Sequence, residues 1–173
     1  MAKKVINLTL NKKSVEKAIE EIEKVRNKLI LVKDEFAKNS LEWIRDRANQ
    51  YLDQRVKNFP NTANVSQYWE IKQKTKNIWE LRNNNPYGAY IEFGTGIVGA
   101  NKPHKIADDV DYKYDVNKHQ EKGWTWYNEE LDLTVYGFKG YEGKSFLYDA
   151  FFDYFYLKEY VKIYEKVIKK YLK

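Results

Sequence analysis

No glycine or proline occurs before Pro60, and apolar residues recur at helical spacing through most of that stretch. Those two residues are the usual helix breakers, so the first third of the chain has little option but to be helical. Ser14 offers an N-cap, followed by Val15, Ala18, Ile19, Ile22, Val25 and Leu29 on one side. Glu16, Glu20, Glu21 and Glu23 crowd the N-terminal half, where the helix dipole favours acids. A second pattern runs through Phe36, Ala37, Leu41, Ile44, Ala48, Tyr51, Leu52 and Val56 and stops near Phe59-Pro60. One unbroken helix from Ser14 to Asn58 would be about 68 Å long, more than a compact domain holds. The reading is therefore helix over 14–59 with a break near Lys33-Asp34 and Asp34 as a cap. The heptad-like spacing suits packing on a sheet or a coiled-coil seam.

Before this region Val5-Ile6-Asn7-Leu8-Thr9-Leu10 alternates like a strand. After it the character changes. Asn61-Thr62-Ala63-Asn64 is a turn, and Tyr68–Lys74 and Ile78–Arg82 read as antiparallel strands. Asn83-Asn84-Asn85-Pro86 turns into a third strand-like run, Tyr87–Phe93. Trp124–Tyr127 and Leu131–Phe138 suggest a further hairpin, turning at Asn128-Glu129-Glu130. The 99–123 stretch is polar and aperiodic, and is read as a long exposed loop that orders only against a neighbour. From Ser145 to Lys173, Leu147, Ala150, Phe151, Phe155, Val161, Tyr164, Val167, Ile168 and Tyr171 describe one long amphipathic helix, with Ser145 as its N-cap. Together these give an α+β fold in one domain, 1–173. It would be an antiparallel sheet of four to six strands over 65–138, with long N-terminal and C-terminal helices packed on one face.

Composition narrows the function. There is no cysteine, which removes disulfide and thiolate chemistry. No apolar run has the length of a signal peptide or membrane span, so a soluble protein made in the cytoplasm is expected. Fifteen tyrosines and five tryptophans suit half-buried subunit contacts as well as they suit an AT-rich genome's bias. The net charge of +6 is uneven. Residues 1–60 hold 14 basic and 9 acidic side chains, 61–157 hold 11 and 14, and 158–173 hold 6 and 2. Basic ends around an acidic middle fit solvated helical faces, end-to-middle contact between copies, or DNA.

Candidate chemistry is sparse. Gly94-Thr95-Gly96-Ile97-Val98-Gly99 satisfies GxGxxG, and Asp115 stands where a ribose-binding acid would. Yet no helical pattern follows before Lys122, so the glycines are read as a tight turn at a strand end. His104 and His119 flank Asp108, Asp109, Asp111 and Asp115, but the acids lack calcium-loop spacing and read as a solvated acidic loop. No zinc motif and no nucleophile elbow occurs, and Glu129-Glu130 falls in a turn. The expectation is no enzyme, no cofactor and no metal. Trp124 and Trp126, with Tyr127, could stack bases, but i, i+2 tryptophans on one strand face equally form a core or interface patch.

Two segments, in order, carry a resemblance. Asn85-Pro86-Tyr87-Gly88-Ala89-Tyr90-Ile91-Glu92-Phe93-Gly94-Thr95-Gly96 resembles a signature in which a tyrosine-alanine strand runs into hydrophobic-Glu-Phe-Gly-Thr. Gly143-Lys144-Ser145-Phe146-Leu147-Tyr148-Asp149-Ala150 is similar to a small-Pro-Phe-Leu-x-x-Ala entry to a last helix, with Ser145 in the proline's place. Trp124-Thr125-Trp126-Tyr127 resembles a strand of Gram-positive versions. The family resembled is the neck or tail-completion proteins of tailed bacteriophages, over about Glu35 to Lys173. The resemblance implies a virion structural protein of the head–tail joining type, assembled in the host cytoplasm as an oligomeric ring. Its partners would be copies of itself, a head-closure or connector protein, and a tail terminator or tail tube protein. DNA would pass through without sequence-specific binding, and no membrane would be involved. Tyr90, Glu92, Phe93, Gly94, Thr95, Gly96, Trp124, Trp126, Phe146, Leu147 and Ala150 are the motif or interface candidates. A tail terminator capping the tail tube is the alternative within the class, and a DNA-binding module using the basic termini the alternative outside it.

Overall fold

The computed structural model of the chain describes residues 12–56, 65–116, 123–128 and 132–172. The expected strand at Val5–Leu10, the turn at 61–64 and the helix end at Phe59-Pro60 lie outside these residues. The chain's contacts gather into two compact units, Met1–Ser40 with Tyr160–Lys173, and Leu41–Glu159.

Helix α1 runs unbroken from Lys12 to Arg55. The break expected at Lys33-Asp34 is absent. Both residues sit within the helix, their side chains 3.4 Å apart as an ion pair, so Asp34 caps nothing. The length objection assumed one compact body, whereas α1 serves first one unit and then the other. In the first unit Ala18 and Val32 of α1 and Val167 of helix α5 (Glu159–Tyr171) are buried. Phe36 meets the Tyr164 ring edge-on at 5.7 Å. Glu35 accepts from Lys170 at 2.7 Å and from the Tyr171 hydroxyl at 2.6 Å. Those two donors, Lys170 foremost, hold the Glu35 carboxyl below its ordinary range.

In the second unit the hairpin expected near Tyr68–Arg82 forms, as β1 (Trp69–Thr75) and β2 (Ile78–Asn83), antiparallel with an irregularity between Gln73 and Thr75. The next segment differs from the expectation. Gly88–Phe93 is a helix, α2, not a strand. Asn83 Oδ1 accepts from the Asn85 amide at 3.0 Å and Asn85 Oδ1 from the Tyr87 amide at 2.8 Å. These side chains wind the asparagine run into a helical entry. Gly88, Ile91 and Glu92 are then buried at the i, i+3, i+4 spacing of a helix.

That exchange removes the middle of the expected sheet. The described strands pair only two by two: β1 with β2, β3 (Gly94–Thr95) with β6 (Tyr141–Glu142), and β4 (Trp124–Asn128) with β5 (Leu133–Phe138). The chain is α+β, but among the described residues the sheet of four to six strands is not formed, because no strand there links the hairpins. A short helix, α3 (Gly96–Asn101), also stands where only a turn and loop were expected.

The C-terminal region is two helices rather than one. Helix α4 spans Phe146–Tyr156, and Lys158, at φ 54°, breaks it from α5. The 99–123 stretch is not uniformly exposed either. His104 and Ala107 are buried, and Tyr112 stacks on Phe93 at 4.6 Å. A segment with so few aliphatic residues still packs because its aromatic rings supply the contact. The core of this unit draws on Ile44, Ala48 and Leu52 of α1, with Val65, Ile91, Ala107, Phe146, Ala150 and Tyr154.

Candidate functional site

Short backbone pairing brings the two motif segments together. Gly94 and Thr95 pair antiparallel with Glu142 and Tyr141. The Lys144 amide then donates to the Ile91 carbonyl at 2.7 Å and the Ser145 amide to that of Glu92 at 3.1 Å. Gly94, at φ 87°, leaves no room for a side chain: an added Cβ would lie 2.5 Å from the Gly143 nitrogen and 2.6 Å from the Tyr141 oxygen.

At the centre of this contact Glu92 caps α4 from a distance in sequence. Its Oε2 accepts from the Leu147 amide at 2.8 Å and its Oε1 from the Tyr148 amide at 2.9 Å. A carboxylate on the exposed amides of a helix N-terminus satisfies two orphan donors and meets the positive end of the dipole. Ser145, expected to be the cap, stands at φ 46° and makes no side-chain capping bond. Burial pushes the Glu92 carboxyl above its ordinary range, and the two amides pull it back part of the way.

His104 closes the other side of Glu92. Its Nε2 lies 3.3 Å from Glu92 Oε1, without the alignment of a hydrogen bond. Nδ1 accepts from the Ile106 amide at 3.3 Å. The proton of the neutral ring therefore sits on Nε2, facing the carboxylate. Phe93 and Tyr148 meet the imidazole edge-on, with centroids at 4.7 and 5.3 Å. Burial lowers the His104 pKa, and Lys105 lowers it further against the opposing pull of Asp149. The two side chains are 0% and 8% exposed, so the pair is closed off from solvent within this unit. Tyr112 donates to the Gly94 carbonyl at 2.8 Å, and burial pushes its hydroxyl up to about 12.

The residues of α1 in this unit lock the same helix from outside. Arg55 Nη1 reaches Asp149 at 2.7 Å and the Lys144 carbonyl at 2.6 Å. Arg47 and the Tyr51 hydroxyl converge on Asp153 Oδ2 at 2.7 and 2.6 Å. Trp43 packs on Tyr154, and Trp69 edge-on to Phe146.

The glycines of the GxGxxG match are taken up by packing. A Cβ on Gly96 would lie 2.5 Å from the Lys139 carbonyl and 2.6 Å from the Trp124 ring. The space left beside Gly96, Asp115 and Trp124 is about 10 Å³, room for a single water at most. The strand before α3 pairs antiparallel with β6, so the parallel βαβ unit of a dinucleotide site is not built. Asp108, Asp109 and Asp111 are exposed, and among the described residues no three His, Cys, Asp or Glu side chains cluster as metal ligands. His119 lies outside the described residues.

Of the sequence candidates, Glu92, Phe93, Gly94, Thr95, Gly96, Phe146, Leu147 and Ala150 meet in or beside this knot. Trp124 covers Gly96, and Trp126 is described only through its backbone pairing with Val135. Tyr90 is half exposed, near enough to act electrostatically on Tyr112 and Tyr141. Sequence reasoning placed His104 in a solvated acidic loop, whereas it is buried, and missed Tyr112 and the Arg47–Asp153 and Arg55–Asp149 pairs. One signal was available, a glutamate flanked by Ile91 and Phe93, which invites the question of what satisfies it.

The outward side of α4 has a different character. Phe151, Phe152, Phe155 and Tyr156 are 50–73% exposed and, with Tyr148, line an open hollow. A helix apolar on both sides normally lies inside a protein or an assembly. No protein-family model matches the chain, and no curated protein or solved structure matches it.

Proposed function

We propose that the chain is a structural subunit at the head–tail junction of a tailed-phage or prophage-derived particle. It acts there in neck or tail completion through protein–protein contact rather than chemistry. The observation that carries this reading is that the two segments bearing the family resemblance dock on each other. Glu92 of the first holds the helix entry of the second at 2.8 and 2.9 Å. Motifs kept together by a fold's own closure are what a family signature without catalytic residues would consist of.

The aromatic side of α4 supports an assembly role, since a contiguous exposed apolar patch marks an interaction surface. In this reading it seats a neighbouring subunit of a ring, while connector and tail proteins take the ring's two ends. The test is deletion of the gene from the parent element, followed by imaging of the particles and of a tagged complement. Separate heads and tails on deletion, with the tag at the junction, are expected. Joined, infectious particles without the protein, or a tag elsewhere on the virion, would overturn the reading. A tag at the tail end of the junction, with overlong tubes on deletion, would favour the tail terminator.

A further inference from the structure

The first half of α1 carries an apolar stripe that its own unit leaves open. Val15, Ile19, Ile22, Val25 and Leu29 are each 40–58% exposed. At 100° per residue they fall within an arc of about 120°. The already buried Ala18 and Val32 lie towards one edge of that stripe. The sequence offered sheet packing or a coiled-coil seam for these residues, and no strand in the described residues of this unit covers them.

The spacing identifies the occupant. Steps of four, three, three and four residues separate the five positions, a pattern symmetric about Ile22. A two-fold contact between identical surfaces needs such self-complementarity: position i meets j, and j meets i. Two antiparallel copies centred on Ile22 place Val15 against Leu29, Ile19 against Val25 and Ile22 against itself. Charge then selects antiparallel over parallel. Residues 15–21 carry Glu16, Glu20 and Glu21 against Lys17, net −2, and residues 23–29 carry Lys24, Arg26 and Lys28 against Glu23, net +2. Antiparallel pairing sets the acidic half on the basic half at both ends, whereas parallel pairing sets like on like.

We propose that residues 15–29 of α1 are a self-pairing segment that joins two copies of this chain antiparallel, about a two-fold axis at Ile22. This does not rest on the head–tail reading, and the α4 surface plays no part in it. The seam is only about 21 Å long, so the pair is concentration-dependent.

The full chain is examined by sedimentation at concentrations up to the order of 100 µM. A dimer is expected, and Ile22→Asp is expected to raise its Kd more than about a hundredfold, since two carboxylates would meet in an apolar seam. Ile22 is exposed, so the variant keeps its helical circular dichroism. The chain has no cysteine, which permits a directional test. A mixture of Val15→Cys and Leu29→Cys chains should give the mixed disulfide under mild oxidation, and Asn27→Cys, on the far side, none. A monomer throughout would overturn the proposal. So would association indifferent to Ile22→Asp, or Val15–Val15 disulfides in place of the mixed product. Loss of head–tail joining in a deletion has no bearing on these outcomes, so the two readings fail separately.

Discussion

Glu92→Gln is the sharpest perturbation of this fold, because it keeps the side chain's volume while removing half of its accepting capacity. In the native chain each carboxylate oxygen takes one amide of α4, at 2.8 and 2.9 Å. Hydrogen bonds to a charged group contribute about 1.5–3 kcal/mol each, neutral ones about 0.5–1.5. Glutamine keeps one bond, now neutral, and turns an NH2 toward the other amide, leaving a buried donor unsatisfied at about 1–3 kcal/mol. Against this, the variant no longer buries a charge, the cost that raises the Glu92 pKa. The balance is a loss of about 1–3 kcal/mol, or a midpoint lower by roughly 2–10 °C for a chain this long. Urea unfolding followed by helix signal and tryptophan fluorescence measures it. Ser145→Ala is the companion variant, and since Ser145 makes no capping bond it should change stability by no more than about 0.5 kcal/mol. A costly Ser145→Ala beside a neutral Glu92→Gln would refute the carboxylate cap and restore the serine.

The remaining predictions concern the same knot. Burial depresses the His104 pKa from 6.5, so its contribution is full above that value and is lost as pH falls towards the folded-state pKa. Glu92, raised from 4.5, works oppositely, its contribution growing as pH falls through its folded pKa. Stability measured from pH 7.5 to 5 should therefore fall more steeply in the native chain than in His104→Phe, which keeps only the Glu92 response; parallel curves would exclude a buried neutral imidazole. Gly94→Ala should cost about 2–4 kcal/mol, because the added carbon meets two backbone atoms at 2.5–2.6 Å and the residue holds φ 87°; a cost below about 1 kcal/mol in chemical unfolding would contradict the tight β3–β6 pairing. Asp153→Asn should cost about 1–2 kcal/mol and be non-additive with Arg47→Met. Burial raises the Asp153 pKa, but Tyr51 and Arg47 outweigh it and leave the group below its ordinary range; a double-mutant cycle with zero coupling would show that the pair contributes nothing.

How much of this was legible beforehand depends on the range of the interactions involved. The helical character of α1, though not its continuity through Lys33-Asp34, and the two longer hairpins were readable, because breaker-free periodicity and aromatic, β-branched alternation are local signals. The grouping of Glu92 to Gly96 and of Phe146 to Ala150 as motifs was also readable, but their meeting was not. Tyr87–Phe93 alternates well enough for a strand, and only the asparagine side-chain bonds and the burial of Gly88, Ile91 and Glu92 decide for a helix. His104 was indistinguishable from a solvated loop histidine until Phe93, Tyr148 and Glu92 surrounded it. Ser145 had the right chemistry and the right place for a cap and lost to a carboxylate more than fifty positions earlier in the chain. The amino-acid order by itself determined that the N-terminal stretch and the region after Ser145 are helical, which faces there are apolar and that cysteine chemistry is absent. Tertiary structure alone decided which carboxylate caps α4, which glycines are sterically required and which apolar faces remain uncovered. Those outcomes depend on where backbone donors and rings from distant segments converge, and spacing along the chain does not encode that.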